Sequence, residues 1–224
     1  MVDKNPHRTQ RRRDPDATRQ ALLEVGTELF AERGYDGVPL SAIAERAGVN
    51  KAMVSYHFGG KRKLYLAIVN ATLGEIVERA EKLAESPSPA PLVLRELIHF
   101  IGDMAVRGNP HFPAMMLREA LAGGKRLERE TMAHPLRVAE AVRRIVERGI
   151  REGAFRRVDP WLTHVSVVGS LLFFFATARM RERLFTAGHL PGRLPEATDY
   201  VKHVQELVTQ GLARRNADDH TREG

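Results

Sequence analysis

The chain has 224 residues, a length that suits one or two domains. Its 43% apolar and 28% charged residues exclude wholesale disorder, and the absence of cysteine excludes a disulfide scaffold, a thiol nucleophile and any thiolate-ligated zinc site. Lys and Arg (35) outnumber Asp and Glu (28), and the resulting +7 favours a polyanionic partner, although a basic surface alone would give the same excess.

Residues 1–13 are polar and basic, without the apolar stretch of a signal peptide, and read as a flexible tail. Within them, Arg11-Arg12-Arg13 is either a solvated run or an arm for the minor groove. Asp14-Pro15 is a helix-start signal, and Leu22, Val25 and Leu29 then recur at helical spacing until Gly34. A short helix over Leu40–Ala47 ends at Gly48; Asn50 caps another over Lys51–Phe58; Gly59-Gly60 precedes a long one over Lys61–Glu85. Three prolines in Ser86–Pro91 mark a linker-like break. Helical segments follow near 92–107, 113–122, 126–152, 160–184 and 195–214, and His134-Pro135 should kink or split the third. Strands are hard to place, so the class is all-α. The longest apolar run, Val165–Ala178, falls short of the roughly 20 residues that span a membrane, and reads as a buried helix.

Residues 40–58 have the grammar of a helix-turn-helix. Ile43, Ala44, Val49, Val54 and Phe58 would pin its two helices together, leaving Lys51, Ala52, Met53, Ser55, Tyr56 and His57 to face outward or border the groove. Small residues let a helix sit deep in the major groove; Tyr56 and His57 suit phosphates, and Met53 a thymine methyl. Lys61 joins a cation to the free N–H groups of a helix start, a phosphate-binding combination. His57 also suits a helix-end cation and Met53 a core filler. For Ser41 and Asn50, capping and DNA contact are equally open.

The run Ala44-Glu45-Arg46-Ala47-Gly48-Val49-Asn50-Lys51, then Tyr56-His57-Phe58-Gly59-Gly60-Lys61 and Leu64-Tyr65, resembles the DNA-binding domain of the TetR family of bacterial transcriptional regulators. Leu22 and Leu29-Phe30-Ala31-Glu32-Arg33-Gly34-Tyr35 resemble the helix before it, so the likeness covers roughly residues 17–66. The resemblance places Lys51, Ala52 and Met53 at base-reading positions, Ser55, Tyr56, His57 and Lys61 at phosphate-holding ones, and Ser41 at a contact position of the preceding helix. Two departures stand out. Pro39 replaces a usual Thr and would sit at the first helical position, and Ser55 replaces a frequent Tyr.

The resemblance also implies a helical C-terminal domain that binds a small molecule and forms a homodimer. The expected organisation is a tail over 1–13, a DNA-binding domain over 14–66, a ligand-binding and dimerisation domain over 67–214, and a flexible tail over 215–224. Trp161, Val165, Val168, Leu172 and Phe175 form a 4-3-4-3 seam, repeated by Ala197, Val201, Val204 and Val208 in the last helix. Paired around a two-fold axis these would make a four-helix bundle. Packing within one subunit is the alternative, and a palindromic site, which needs two readers, favours the dimer. A pocket should draw on Phe100, Met104, Phe112, Met115, Met116 and Phe173, with His99, Arg118, Glu119 and His164 as polar candidates.

Enzyme motifs are missing: there is no G-x-S-x-G, G-x-G-x-x-G, P-loop or H-E-x-x-H, and the nine histidines lack metal-ligand spacing. The expectation is a cytoplasmic homodimeric repressor that binds a palindromic double-stranded operator and is released by a small-molecule effector, with no cofactor, metal or membrane. The alternatives are a helix-turn-helix regulator without a ligand, and a helical enzyme or carrier in which the motif is structural.

Overall fold

The computed structural model describes residues 14–189 and 191–214. The basic run Arg11-Arg12-Arg13 and the C-terminal tail from 215 lie outside them. Ten α-helices and one π-helical turn make up the described residues, with a single isolated bridge, Phe155 to Ala213, and no strand. Among them no single helix is long and apolar enough to cross a membrane.

The local start signals work as the residues dictate. Asp14 accepts from the Asp16 N–H at 3.0 Å and opens α1 (Pro15–Arg33), which Gly34 closes. Asn50 caps α3 (Lys51–Phe58) by accepting from the Ala52 N–H at 2.9 Å. Pro39 departs from expectation: it is the N-cap of α2 (Leu40–Arg46) and supplies no side-chain cap, so that helix start rests on its neighbours. Between α3 and α4 (Lys61–Ala84) the chain needs two consecutive positive-φ residues, 72° and 128°, which Gly59 and Gly60 adopt without a Cβ clash.

The remaining elements are α5 (Ala90–Asp103), the π-helical turn Met104–Gly108, α6 (Phe112–Leu121), α7 (Arg129–Arg151), α8 (Pro160–Ala176), α9 (Ala178–Thr186) and α10 (Ala197–Leu212). The proline linker is fastened rather than loose. Arg148 Nη1 donates to the Ser86 carbonyl at 2.5 Å, and the Ala90 N–H donates to Glu152 at 3.1 Å.

Two expectations for helix continuity are corrected. The helix α7 runs unbroken through Pro135, because Thr131, Val138 and Val142 on the same helix are buried and tertiary packing outweighs one missing N–H. The expected helix over 160–184 instead bends by 52° at Thr177. There the Thr177 hydroxyl donates back to the Phe173 carbonyl at 2.7 Å, a back-bond that bends helices without any glycine or proline.

Two hydrophobic cores result. One joins Leu22 and Phe30 of α1, Ile43 of α2, Val54 of α3 and Leu64 of α4, and it takes in Phe112 and Met115 from α6. The other joins α5, α7, α8 and α10 through Leu94, Leu97, Ile145, Leu171 and Val204, and reaches the far end of α4 at Ala80 and Leu83. At 1.5 Å per residue the 24-residue α4 is about 36 Å long, and it belongs to both cores.

Gly149 shows how tightly the second core is closed. A Cβ there would lie 2.2 Å from Cδ2 of Phe155, whose ring is 3% exposed and has no room to retreat. Helix propensity alone predicts that Gly149→Ala stabilises α7 by about 1 kcal/mol. The packing predicts the opposite sign, a loss of about 1–3 kcal/mol from overpacking. Urea unfolding of the variant reads the sign directly.

Candidate nucleic-acid interface and apolar cavity

The α2–turn–α3 unit is fixed from below and open from above. Ile43, Val54 and Phe58 are buried, while Ser41, Lys51, Ala52, Ser55 and Tyr56 are exposed, Tyr56 at 79%. The open face therefore combines a cation, two hydroxyls within α3 and a small residue, the set that suits a groove lined with phosphates. Asn50 lies beside it, with its carbonyl oxygen committed to the cap. Met53 is half-buried. His57 is also half-buried, and its Nε2 is shielded and unpartnered, so that nitrogen does not face outward.

At the start of α4, Lys61 Nζ sits 4.3 Å from the ring centroid of Tyr35, and partial burial lowers its pKa from the ordinary lysine value. Tyr35 also carries the Arg126 guanidinium, 5.3 Å from the ring centroid. Behind this pair is a buried polar knot. Glu119, 1% exposed, accepts from the Tyr65 hydroxyl at 2.8 Å and from the Arg126 N–H at 2.9 Å. Arg126 donates onward to Asp36 at 2.6 Å. Burial, and then the bond to the Glu119 carboxylate, push the Tyr65 phenol well above its ordinary value of 10.0.

Between α4, α6, α7 and α8 lies a cavity of about 270 Å³. Leu73, Ile76, Phe112, Met116, Val168 and Phe175 supply much of its wall, and Thr72, Asn109 and His164 are its polar residues. His164 is 8% exposed, its Nδ1 has no hydrogen-bond partner, and burial lowers its pKa. The Trp161 ring stacks against it at 5.4 Å.

Two family models match this chain. One, described as bacterial regulatory proteins of the tetR family, covers residues 22–68, the α1–α4 unit with the exposed face. The other, a tetracyclin repressor-like C-terminal domain, covers residues 92–208, more than half of the chain. The chain belongs to the TetR family.

Two curated relatives and one solved structure match it along nearly their whole lengths. The HTH-type transcriptional repressor NicS of Pseudomonas putida is 29% identical over 208 residues, 91% of this chain and 96% of that protein. The HTH-type transcriptional regulator RutR of Escherichia coli is 25% identical over 214 residues, 92% and 95% respectively. The TetR-family regulator PfmR from Thermus thermophilus superposes with a TM-score of 0.66 at 28% identity, covering 86% of this chain and 99% of that one. This TetR-family chain is accordingly a transcriptional regulator with an N-terminal helix-turn-helix and a larger helical C-terminal domain.

Within the TetR frame, several candidate ligand residues lie elsewhere. Met104, Met116 and His164 line the cavity, as does Phe112. His99 and Phe173 are exposed instead, because each lies on the outer face of its helix. Met115 is buried in the core of the DNA-reading half. Phe100 packs beneath the Arg79 guanidinium, 5.9 Å away. Arg118 caps α1, donating to the Ala31 carbonyl at 2.9 Å and the Glu32 carbonyl at 3.3 Å. Glu119 belongs to the buried knot. Sequence reasoning missed Thr72, Ile76 and Asn109, since a wall gathered from five helices and the π-helical turn has no linear signature.

The candidate dimer seam on α8 is divided between the cavity and the exposed surface. Val168, Leu172 and Phe175 face the cavity, whereas Trp161 and Val165 are exposed, 54% and 48%. Beside them Leu162, Ser166, Gly169 and Phe173 complete the exposed face of α8. On α10, Val201 and Val204 are buried within the subunit and Val208 packs against the same core, while Leu207 is 62% exposed. Leu162, Ser166, Leu207 and Gly211 share one shallow groove between α8 and α10.

Proposed function

We propose that this regulator is a cytoplasmic repressor, homodimeric through the α8–α10 face, which binds a palindromic operator and is released by a small molecule held in the α4–α8 cavity. DNA reading is assigned to residues 14–66, and effector binding and dimerisation to 67–214. Lys51, Ala52 and Met53 read bases; Ser55, Tyr56, His57 and Lys61 hold phosphates, with Ser41 on α2 and Asn50 at the cap of α3 beside them. The naming of NicS as a repressor supports the direction of control.

The observation that carries the reading is the double position of α6. Met116 and Ala120 line the cavity, Met115 sits in the core of the DNA-reading half, and Arg118 caps the helix of that half. A ligand that displaces one face of α6 therefore displaces the other, provided it binds the two states with different affinity.

The test is selection of bound sequences from random double-stranded DNA, followed by a screen for small molecules that release the selected site. A palindrome with half-sites about 34–36 Å apart, or a multiple, is expected. Enrichment of no sequence would refute DNA reading, and release by nothing would favour the regulator without a ligand. On the selected operator, Lys61→Ala should weaken binding about equally for all sequences. It should also lower the slope of log affinity against log salt by roughly 1 per half-site. An unchanged slope would remove Lys61 from the phosphate contacts.

A further inference from the structure

On the reading that the cavity is the effector site, its wall restricts the occupant. None of the eighteen residues lining it is Asp, Glu, Lys or Arg. A charged ligand would lose its hydration there and gain no counter-charge. Thr72, Met104 and Asn109 line both the cavity and a neighbouring groove between α1 and α4, and so mark the mouth. That groove is lined by Glu24, Glu28 and Glu75 with no Lys or Arg; Glu28 pairs with Arg46, and Glu24 and Glu75 are left to disfavour an anion a second time. The Asn109 side-chain oxygen already accepts from the His111 N–H at 3.2 Å.

His164 is then the polar group of the inner wall. Its buried Nδ1 lacks a partner, and a half-turn about χ2 exchanges the ring edge shown to the cavity. A neutral imidazole offers one donor and one acceptor, so it pairs with a hydroxyl or a carbonyl alike. The volume of about 270 Å³ is less than twice the ~150 Å³ that holds benzene in an engineered cavity, the scale of two fused rings.

We propose that the effector class is a small, uncharged, mostly apolar molecule of about two rings, bearing one hydrogen-bonding group that meets His164.

Calorimetric titration of the purified full-length protein with four probes of one frame tests this: β-naphthol, α-tetralone, naphthalene and β-naphthoate. At neutral pH β-naphthol and α-tetralone should bind, naphthalene about tenfold more weakly, and β-naphthoate at least a hundredfold more weakly. His164→Leu should bring β-naphthol down to the naphthalene affinity and leave naphthalene unchanged. Should that variant not fold, the ordering of the four probes on the unaltered protein decides. Equal or tighter binding of β-naphthoate would overturn the proposal, as would binding of no probe. An equal loss for β-naphthol and naphthalene in folded His164→Leu would overturn the role of His164. Operator binding is measured in parallel without ligand: if it persists while the probe order fails, the ligand class falls and the regulator stands. If the operator is not bound at all, the functional reading itself fails.

Discussion

Phe173→Glu combined with Leu207→Glu should yield a folded monomer that no longer holds its operator. Both side chains are about 60% exposed in the subunit, at 59% and 62%, so neither carboxylate is forced into a core. Across a two-fold axis the same substitutions would bring like charges together in a desolvated interface, at a cost of several kcal/mol. Loss of the second reader then removes the gain from linked half-sites, and operator affinity should fall by two to four orders of magnitude, the usual range for that linkage. Sedimentation reads the oligomeric state, and a gel-shift titration at stated salt reads affinity. A double variant that stays dimeric would place the interface elsewhere. Val204→Glu makes the contrast, because Val204 is 3% exposed within the subunit and its replacement should unfold the chain rather than split a dimer.

Glu119→Leu should cost about 3 kcal/mol of stability, since it strands the buried Tyr65 hydroxyl and removes the buried carboxylate that the Arg126 guanidinium meets. Urea unfolding of the folded fraction measures it. Tyr65→Phe offers a second readout with a defined sign. The folded phenol titrates above its ordinary value of 10.0, so its contribution is whole below that pH and is lost as pH rises beyond it. Tyr65→Phe should therefore blunt the alkaline loss of stability above pH 10 and leave the acid limb unchanged. An alkaline limb identical in both proteins would show that the phenol titrates alike in the folded and unfolded chain.

Much of the architecture was legible in the residues. Asp14-Pro15, Gly34, Asn50 and Gly59-Gly60 set helix ends through local chemistry, and the observed boundaries of α1, α3 and α4 lie within a residue of those signals. The exposed face of α3 was legible for the same reason, since Val54 and Phe58, turned in toward Ile43 and Ala44, leave the other side of a short helix no choice. What the residues left open was rotational phase. On α8 nearly every position is apolar, so Trp161-Val165-Val168-Leu172 and Leu162-Ser166-Gly169-Phe173 are equally helical stripes. Only the neighbours decide which one is covered. The bend at Thr177 and the continuity at Pro135 were hidden because a side-chain back-bond and tertiary packing overrode residue preference.

The sharing of α6 between the two cores also bears on modularity. Reader and sensor in this chain are not beads on a string, since the reader's interior is completed by Phe112, Met115 and the Glu119 carboxylate from beyond the proline linker. A fragment ending at the close of α4 would leave that interior open to water on one side. A chimera that transplants the reader onto another sensor has to carry the α6 surface with it, or inherit an equivalent one from the host. Exchange of residues at 65 and 119 is then constrained as a pair, whereas Arg118 meets a main-chain carbonyl and sets no such pairing with the side chain at 31.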